Sequence, residues 1–393
     1  MRMLPGRSGP GMDDFTVDLS SLAGFDLDLQ DLGTTFSSNA SRLLSGVHLP
    51  AGSTGLMADL APSFDKFQSV VSAAQQADWS AIGALCANLA TAATKYQATD
   101  DTFATAISAT STNLLGESGT AGTAGGREGV SRFGALQLPS LPEVPENQYM
   151  ILQVVSASVD LISNYDDRLS EAVGVRPTSA YLSPLVADWE ALQAIGKRID
   201  LLGINDYVTS ENLGNGIRWL QSKWSGDASQ AFSASVTTLG QSVAGRSTDL
   251  EIVAKIVQNA GECLERLVYN QAIGLTAGIL QPMTYFGITF PLGIWAPYMN
   301  QPIRETIRSE IAAAVEALKR SAESRQNAVV AIVEKISRTL EYSPGRTAPA
   351  FNVSEFEIPD RVVVDVGSVR YGFGDNIWWE ESIDSAIRLA TSG

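Results

Sequence analysis

Apolar residues recur along much of this chain at alternating intervals of three and four, the spacing that lines one face of a helix. Leu22, Phe25, Leu29, Leu32, Phe36, Ala40 and Leu43 make the first such seam, with Asp26, Asp28, Asp31 and Arg42 on other faces. A Gly- and Pro-rich break from Gly46 to Gly55 separates it from a second seam, which opens at Phe64 and Phe67 and runs through Asp78, Leu85 and Tyr96 to Ile107. Two apolar stripes joined by a short connection are predicted to bury each other as an antiparallel helical hairpin. The second helix outruns the first, so its distal seam needs another cover.

Residues 115–147 interrupt the periodicity. Their first half is rich in Gly, Ser and Thr, and their second half carries Leu-Pro-Ser-Leu-Pro-Glu-Val-Pro, a composition that predicts an interdomain linker. Helical spacing resumes over about 149–172, 184–202 and 209–222. Two longer seams follow, one from Asp227 to Leu267 that includes Arg246, and one from Ile307 to Leu340. Beyond Tyr342 the pattern changes to Arg361-Val-Val-Val-Asp-Val366, Gly-Ser, then Val369 to Phe373, which reads as a β-hairpin with a two-residue turn. A short amphipathic segment, Trp378 to Leu389, comes last.

The expected fold is therefore mainly α: elongated helical-hairpin bundles with a small C-terminal β-hairpin. The expected division is a flexible leader over 1–12, a helical hairpin over 13–114, the linker over 115–147, an elongated bundle over 148–342 and a tail over 343–393.

Composition narrows the chemistry. The chain has 393 residues, 27 Lys and Arg against 43 Asp and Glu, and a net charge of −16. That balance argues against nucleic acid or anionic lipid as a primary partner. It has one histidine, His48, and two cysteines, Cys86 and Cys263. Zinc clusters, a disulfide framework and most histidine-based catalysis are thereby set aside. His48 reads as a surface residue of the Gly/Pro turn, and the cysteines as small buried hydrophobes. No catalytic, metal-ligating or cofactor-binding constellation emerges, and a non-enzymatic role is expected. No apolar run follows the basic residues of 1–12, so a Sec signal peptide is not expected.

The most specific string is Trp224-Ser-Gly-Asp-Ala-Ser-Gln-Ala-Phe232. Gly226 permits a tight turn, Asp227 is placed to cap the next helix, and Trp224 is sized to fill a helix crossing. Together with Pro184-Leu-Val-Ala-Asp-Trp189 upstream, this resembles the Trp-x-Gly turn of the WXG100 superfamily, the helical hairpins exported by bacterial type VII (ESX) secretion, in its longer actinobacterial form. The resemblance covers roughly 150–340. Residues 13–112 are similar to the shorter hairpins of the same systems but lack a Trp-x-Gly of their own.

The resemblance implies a secretion substrate or secretion-associated protein that is made in the bacterial cytoplasm, leaves by a non-Sec route and ends secreted or at the cell surface. Its implied partners are a WXG100-like helix pair or secretion chaperone and the secretion ATPase. Tyr96 and Asp100 match the Tyr-x-x-x-Asp/Glu export signal of that class, as do Tyr207/Glu211 and Tyr371/Asp375. Of the three, only Tyr96/Asp100 lies on a strongly heptadic hairpin helix.

From Leu267 to Ile303 no charged residue occurs, and Pro282, Pro291, Pro297 and Pro302 cut the stretch into pieces too short to span a bilayer. An apolar tip of this kind is buried by packing, joins copies into a homo-oligomer, or meets a membrane. Phe286, Phe290 and Trp295 are its candidate contacts. A membrane-active or oligomer-forming effector, and a truncated toxin-carrier of the same secretion class, are the alternative functions.

Overall fold

A computed structural model describes residues 16–97, 129–145, 150–345 and 350–363. The protein is mainly α, with one small antiparallel β-hairpin among the described residues. Helix α1 (Leu19–Leu44) and helix α3 (Ala61–Gln97) form the first hairpin, joined through the short α2 (Gly55–Ala58). Asp18 caps α1, its side chain accepting the amides of Ser20 and Ser21. Every residue of the first predicted seam is buried. Residues 98–107 of the second seam lie outside the described residues.

The second half brings α4 (Met150–Ile162), a 3-10 turn at Ser163–Tyr165, and α5 (Asp166–Val173), where the spacing predicted one helix over 149–172. A π-helical turn at Thr178–Leu182 and a 3-10 turn at Ser183–Leu185 lead into α6 (Ala191–Gln221). The sequence suggested two helices here, over 184–202 and 209–222. The helix is continuous because its polar interruption is buried and partnered rather than turned to water. Asn205 accepts from Asn39 and donates to the carbonyl of Phe36, and Asp206 pairs with Arg246.

Helix α7 (Asp227–Ile279) has 53 residues and so runs about 80 Å at 1.5 Å per residue. It ends in β1 (Pro282–Tyr285) and β2 (Ile288–Pro291), paired Pro282 with Pro291 through Tyr285 with Ile288. The short α8 (Leu292–Trp295) and a 3-10 turn at Ala296–Asn300 return the chain to α9 (Glu305–Leu340).

One apolar core joins the first half of α7 and the end of α6 to both helices of the N-terminal hairpin, through Phe25, Leu29, Leu89, Leu220, Phe232 and Val236. A second core gathers the rest of α7 with α4, α9 and the start of α3, whose Phe67 ring lies 6.2 Å from that of Tyr342. The start of α3 is thus covered by the second half of the chain. The two modules share their cores.

The segment expected to be a linker is, over its described residues 129–145, a strap laid along α1 and α6. Its fit is close: a Cβ on Gly24 would stand 1.8 Å from the carbonyl oxygen of Ser131. Arg132 pairs with Asp28 at 2.6 Å and also with Asp31, while Asn212 holds both the N–H and the carbonyl of Gln137. These side chains replace the backbone partners that an extended segment lacks.

The apolar stretch 267–303 divides. Val268, Ala272, Leu275 and Ile279 are buried as the last turns of α7, and Leu292, Trp295 and Ala296 pack back on the body. A β-hairpin fills the middle, between Pro282 and Pro291, where the sequence suggested an apolar tip cut by prolines. The hairpin expected over 361–373 and the amphipathic segment Trp378–Leu389 lie outside the described residues, except for Arg361–Val363, which form no strand. Among the described residues no helix is long and apolar enough to cross a membrane.

Candidate functional site

Four helix ends meet where α6 turns into α7: the start of α1, the end of α3, the end of α6 and the start of α7. Trp224 sits at their centre with 2% of its surface exposed. Its backbone N–H continues the last turn of α6, donating to the carbonyl of Leu220 at 2.9 Å. Gly226 follows with φ 99° and ψ 178°, a combination essentially reserved for glycine. Asp227 does not cap α7; it is the first helical residue, and Gly226 holds the cap position without a side-chain bond. Its charge still favours the positive end of the helix dipole. Ser229 supplies a local bond instead, its hydroxyl donating to the carbonyl of Trp224 at 2.8 Å.

The Trp224 ring is enclosed by aromatic neighbours. Its centroid is 5.7 Å from Phe232, which stands edge-on to Phe25 at 6.4 Å. Phe25 approaches Trp219 at 6.3 Å, and Trp219 meets Phe133 of the strap at 6.0 Å. On the side of α3, Trp224 meets Tyr96: the rings are 6.5 Å apart at 80°, and the indole Nε1 donates to the Tyr96 hydroxyl at 3.4 Å. The tyrosine of the candidate export signal and the tryptophan of the Trp-x-Gly turn are therefore in direct contact, although 128 residues separate them. Asp100 lies outside the described residues.

The segment ahead of α1 closes the turn from outside. Val17 and Trp224 form an antiparallel bridge, with Asp18 N–H donating to Lys223 at 2.9 Å and Ser225 N–H donating to Thr16 at 2.8 Å. Burial opposes ionisation of Asp18, but its bonds from Ser20 and Ser21 outweigh that and hold its carboxyl below the ordinary carboxylate value. Sequence reasoning missed Val17 and Phe133. Phe133 left a trace, as the single aromatic residue between Leu115 and Asn147.

The other candidates sort by position. Tyr207 is 57% exposed on α6, with Glu211 also exposed one turn on, far from any turn motif. Tyr371 and Asp375 lie outside the described residues. Phe286 and Phe290 are exposed at the β-hairpin, but Trp295 is 7% exposed, its indole N–H donating to the carbonyl of Met283 at 2.9 Å. Trp295 is thus the footing of the tip rather than a contact surface.

Cys86 and Cys263 are free and buried. Burial, with Asp26 beside it, pushes the Cys86 thiol up to about 12, which leaves it un-ionised and unreactive. His48 is exposed and its ring bonds the neighbouring carbonyl of Leu49. Among the described residues no cluster of His, Cys, Asp and Glu is arranged to hold a metal ion. A groove of ≈ 370 Å³ between α1 and α3 is lined by serines and glutamines such as Ser41, Gln68, Ser72 and Gln75, without a charged group or an aromatic platform.

The Trp-x-Gly end is thus a closely packed aromatic knot that takes in the last described turn of α3. No family model matches this chain, and no curated protein or solved structure matches it.

Proposed function

We propose that this protein is a non-enzymatic substrate or associated factor of a type VII (ESX) secretion system, acting through helix-mediated protein–protein contacts. The contact between Tyr96 and Trp224 carries the reading. A Tyr-x-x-x-Asp signal on one hairpin and a Trp-x-Gly turn on another make a composite surface only when the two hairpins are aligned at the same end. In this chain the alignment is internal, since α1 and α3 pack against α6 and α7 through a common core. The N-terminal hairpin then occupies the place that a separate WXG100-like partner would take. The secretion ATPase would meet the end formed by Tyr96 and the turn at Trp224–Gly226, with any chaperone binding elsewhere on the bundle. Disabling the secretion ATPase of the native locus tests the assignment. Loss of the protein from culture supernatant, with accumulation in the cells, is the expected result; unchanged export would remove the basis for the reading.

A further inference from the structure

The β1–β2 hairpin turns through Phe286 and Gly287, at φ 54° and 78°. Two central residues at positive φ define the tight primed turn, which selects Asn, Asp or Gly at its first position. Phe286 is the one non-glycine residue with positive φ among those described. A bulky side chain there holds backbone strain. Burial does not offset it, because the ring is 62% exposed.

Ile288 at 50%, Phe290 at 41% and Tyr298 at 43% exposure extend the same surface. Together the four side chains leave roughly 400 Å² open, taking about 200 Å² for a whole aromatic residue. The patch stands on a firm base: the Trp295 ring lies 5.8 Å from Phe290 and 5.4 Å from Tyr298. No charged side chain occurs between Leu267 and Ile303, and the first one after it, Arg304, places its guanidinium 6.0 Å from the Phe286 ring.

We infer that this apex is a shallow anchor for a lipid surface with zwitterionic headgroups. The inference goes beyond the secretion reading and does not depend on it. A strained two-residue turn presents a convex point, which a bilayer interface accepts and which offers no groove to a peptide. Its area is about half of the roughly 800 Å² per partner that a stable protein interface buries. Phe286 at the point, with the Arg304 guanidinium over its ring, suits an interface in which apolar rings enter while the long arginine side chain keeps its charge at the phosphates. The net charge of −16 removes attraction to anionic lipid as the driving force. The contact proposed is insertion of the hairpin tip from one side.

Flotation of the full chain with phosphatidylcholine vesicles is the test, alongside Phe286→Asn and Phe290→Ser. The wild type should float, and raised salt should not release it. Phe286→Asn gives the turn a residue it prefers, so thermal stability should hold or rise while partition to vesicles falls about tenfold or more. Phe290→Ser should also lose binding. A wild-type protein that stays with the soluble fraction would overturn the inference, as would Phe286→Asn floating like the wild type. Binding that requires phosphatidylglycerol and disappears with salt would overturn it too. So would light scattering in which the wild type ignores vesicles and Phe286→Asn splits an oligomer, since the patch would then belong to a second copy of the chain.

Discussion

At the scale of single residues, Trp224 and Gly226 do separate work at one turn. The glycine supplies a backbone geometry closed to side chains, and the tryptophan fills the space where four helix ends converge. Trp224→Ala should cost roughly 3–5 kcal/mol, the range for removing a buried aromatic side chain. A thermal melt checks this directly, and a shift under about 2 °C would contradict the burial. That the turn sits here was legible in the sequence, because a glycine between two apolar seams is a local signal. The role of Asp227 was not, since a capping residue and a first-turn residue differ by one position and by the angles of their neighbour.

Glu190 was not legible at all, its partners lying 39 and 40 residues away. Its carboxylate accepts the N–H groups of Met150 and Ile151 at the start of α4. Burial, with Glu265 and Asp188 adding to it against those two bonds, pushes its carboxyl from 4.5 up to about 7. A raised value means that the folded state holds the proton more tightly than the unfolded one. The stabilisation is therefore complete below about pH 4.5 and lost as pH rises through about 7. Glu190→Gln keeps an acceptor for the amides and removes the titration. Its melting temperature should exceed that of the wild type at pH 8, and the difference should close as the pH falls toward 4.5. A constant difference across that range would show that Glu190 does not titrate in the fold.

Between elements, the apolar seams account for which helices form but not for how they are joined. The seam of α3 carries Asp78 and the seam of α7 carries Arg246, two charged residues at positions that spacing assigns to a core. Their meaning appears only in the packed molecule. Arg246 takes both oxygens of Asp206 on α6, at 2.7 and 3.1 Å, and also reaches Asp78 on α3. One buried cation thus ties three helices of both modules into one register. Removing it leaves two carboxylates buried without their counter-charge, so Arg246→Ala should destabilise the protein by about 3–5 kcal/mol. Replacing Arg246, Asp78 and Asp206 together by apolar residues of similar size should recover much of that loss. Equal melts for the single and triple variants would contradict the account. The same network explains why α6 read as two helices: Asn205 and Asp206 break the apolar period while their partners keep the backbone helical.

Across the whole molecule, what the sequence concealed was the joining of its halves. Composition marked 115–147 as a change of character. It carried no sign that 129–145 lie along α1 and α6, because the partners of the strap are single side chains scattered over both helices. The helices expected among the described residues are largely those found, and Phe286 and Phe290 are exposed in the middle of the uncharged stretch. The β1–β2 hairpin was not legible, because strands of four residues leave almost no alternating pattern, while the hairpin expected over 361–373 lies outside the described residues.

The consequence of joining is that Tyr96 and Trp224 come together at one end of the molecule, while the apolar β-hairpin lies at the far end of α7. A secretion reading needs the first end to be a recognition surface and not merely a well-packed one. The amount of Tyr96→Ala protein in culture supernatant, set against its thermal melt, separates these. The expected result is a folded protein, with a melt lowered by no more than a few degrees, that is retained in the cells. Export of Tyr96→Ala at the wild-type level would contradict the account, because the tyrosine would then serve packing alone.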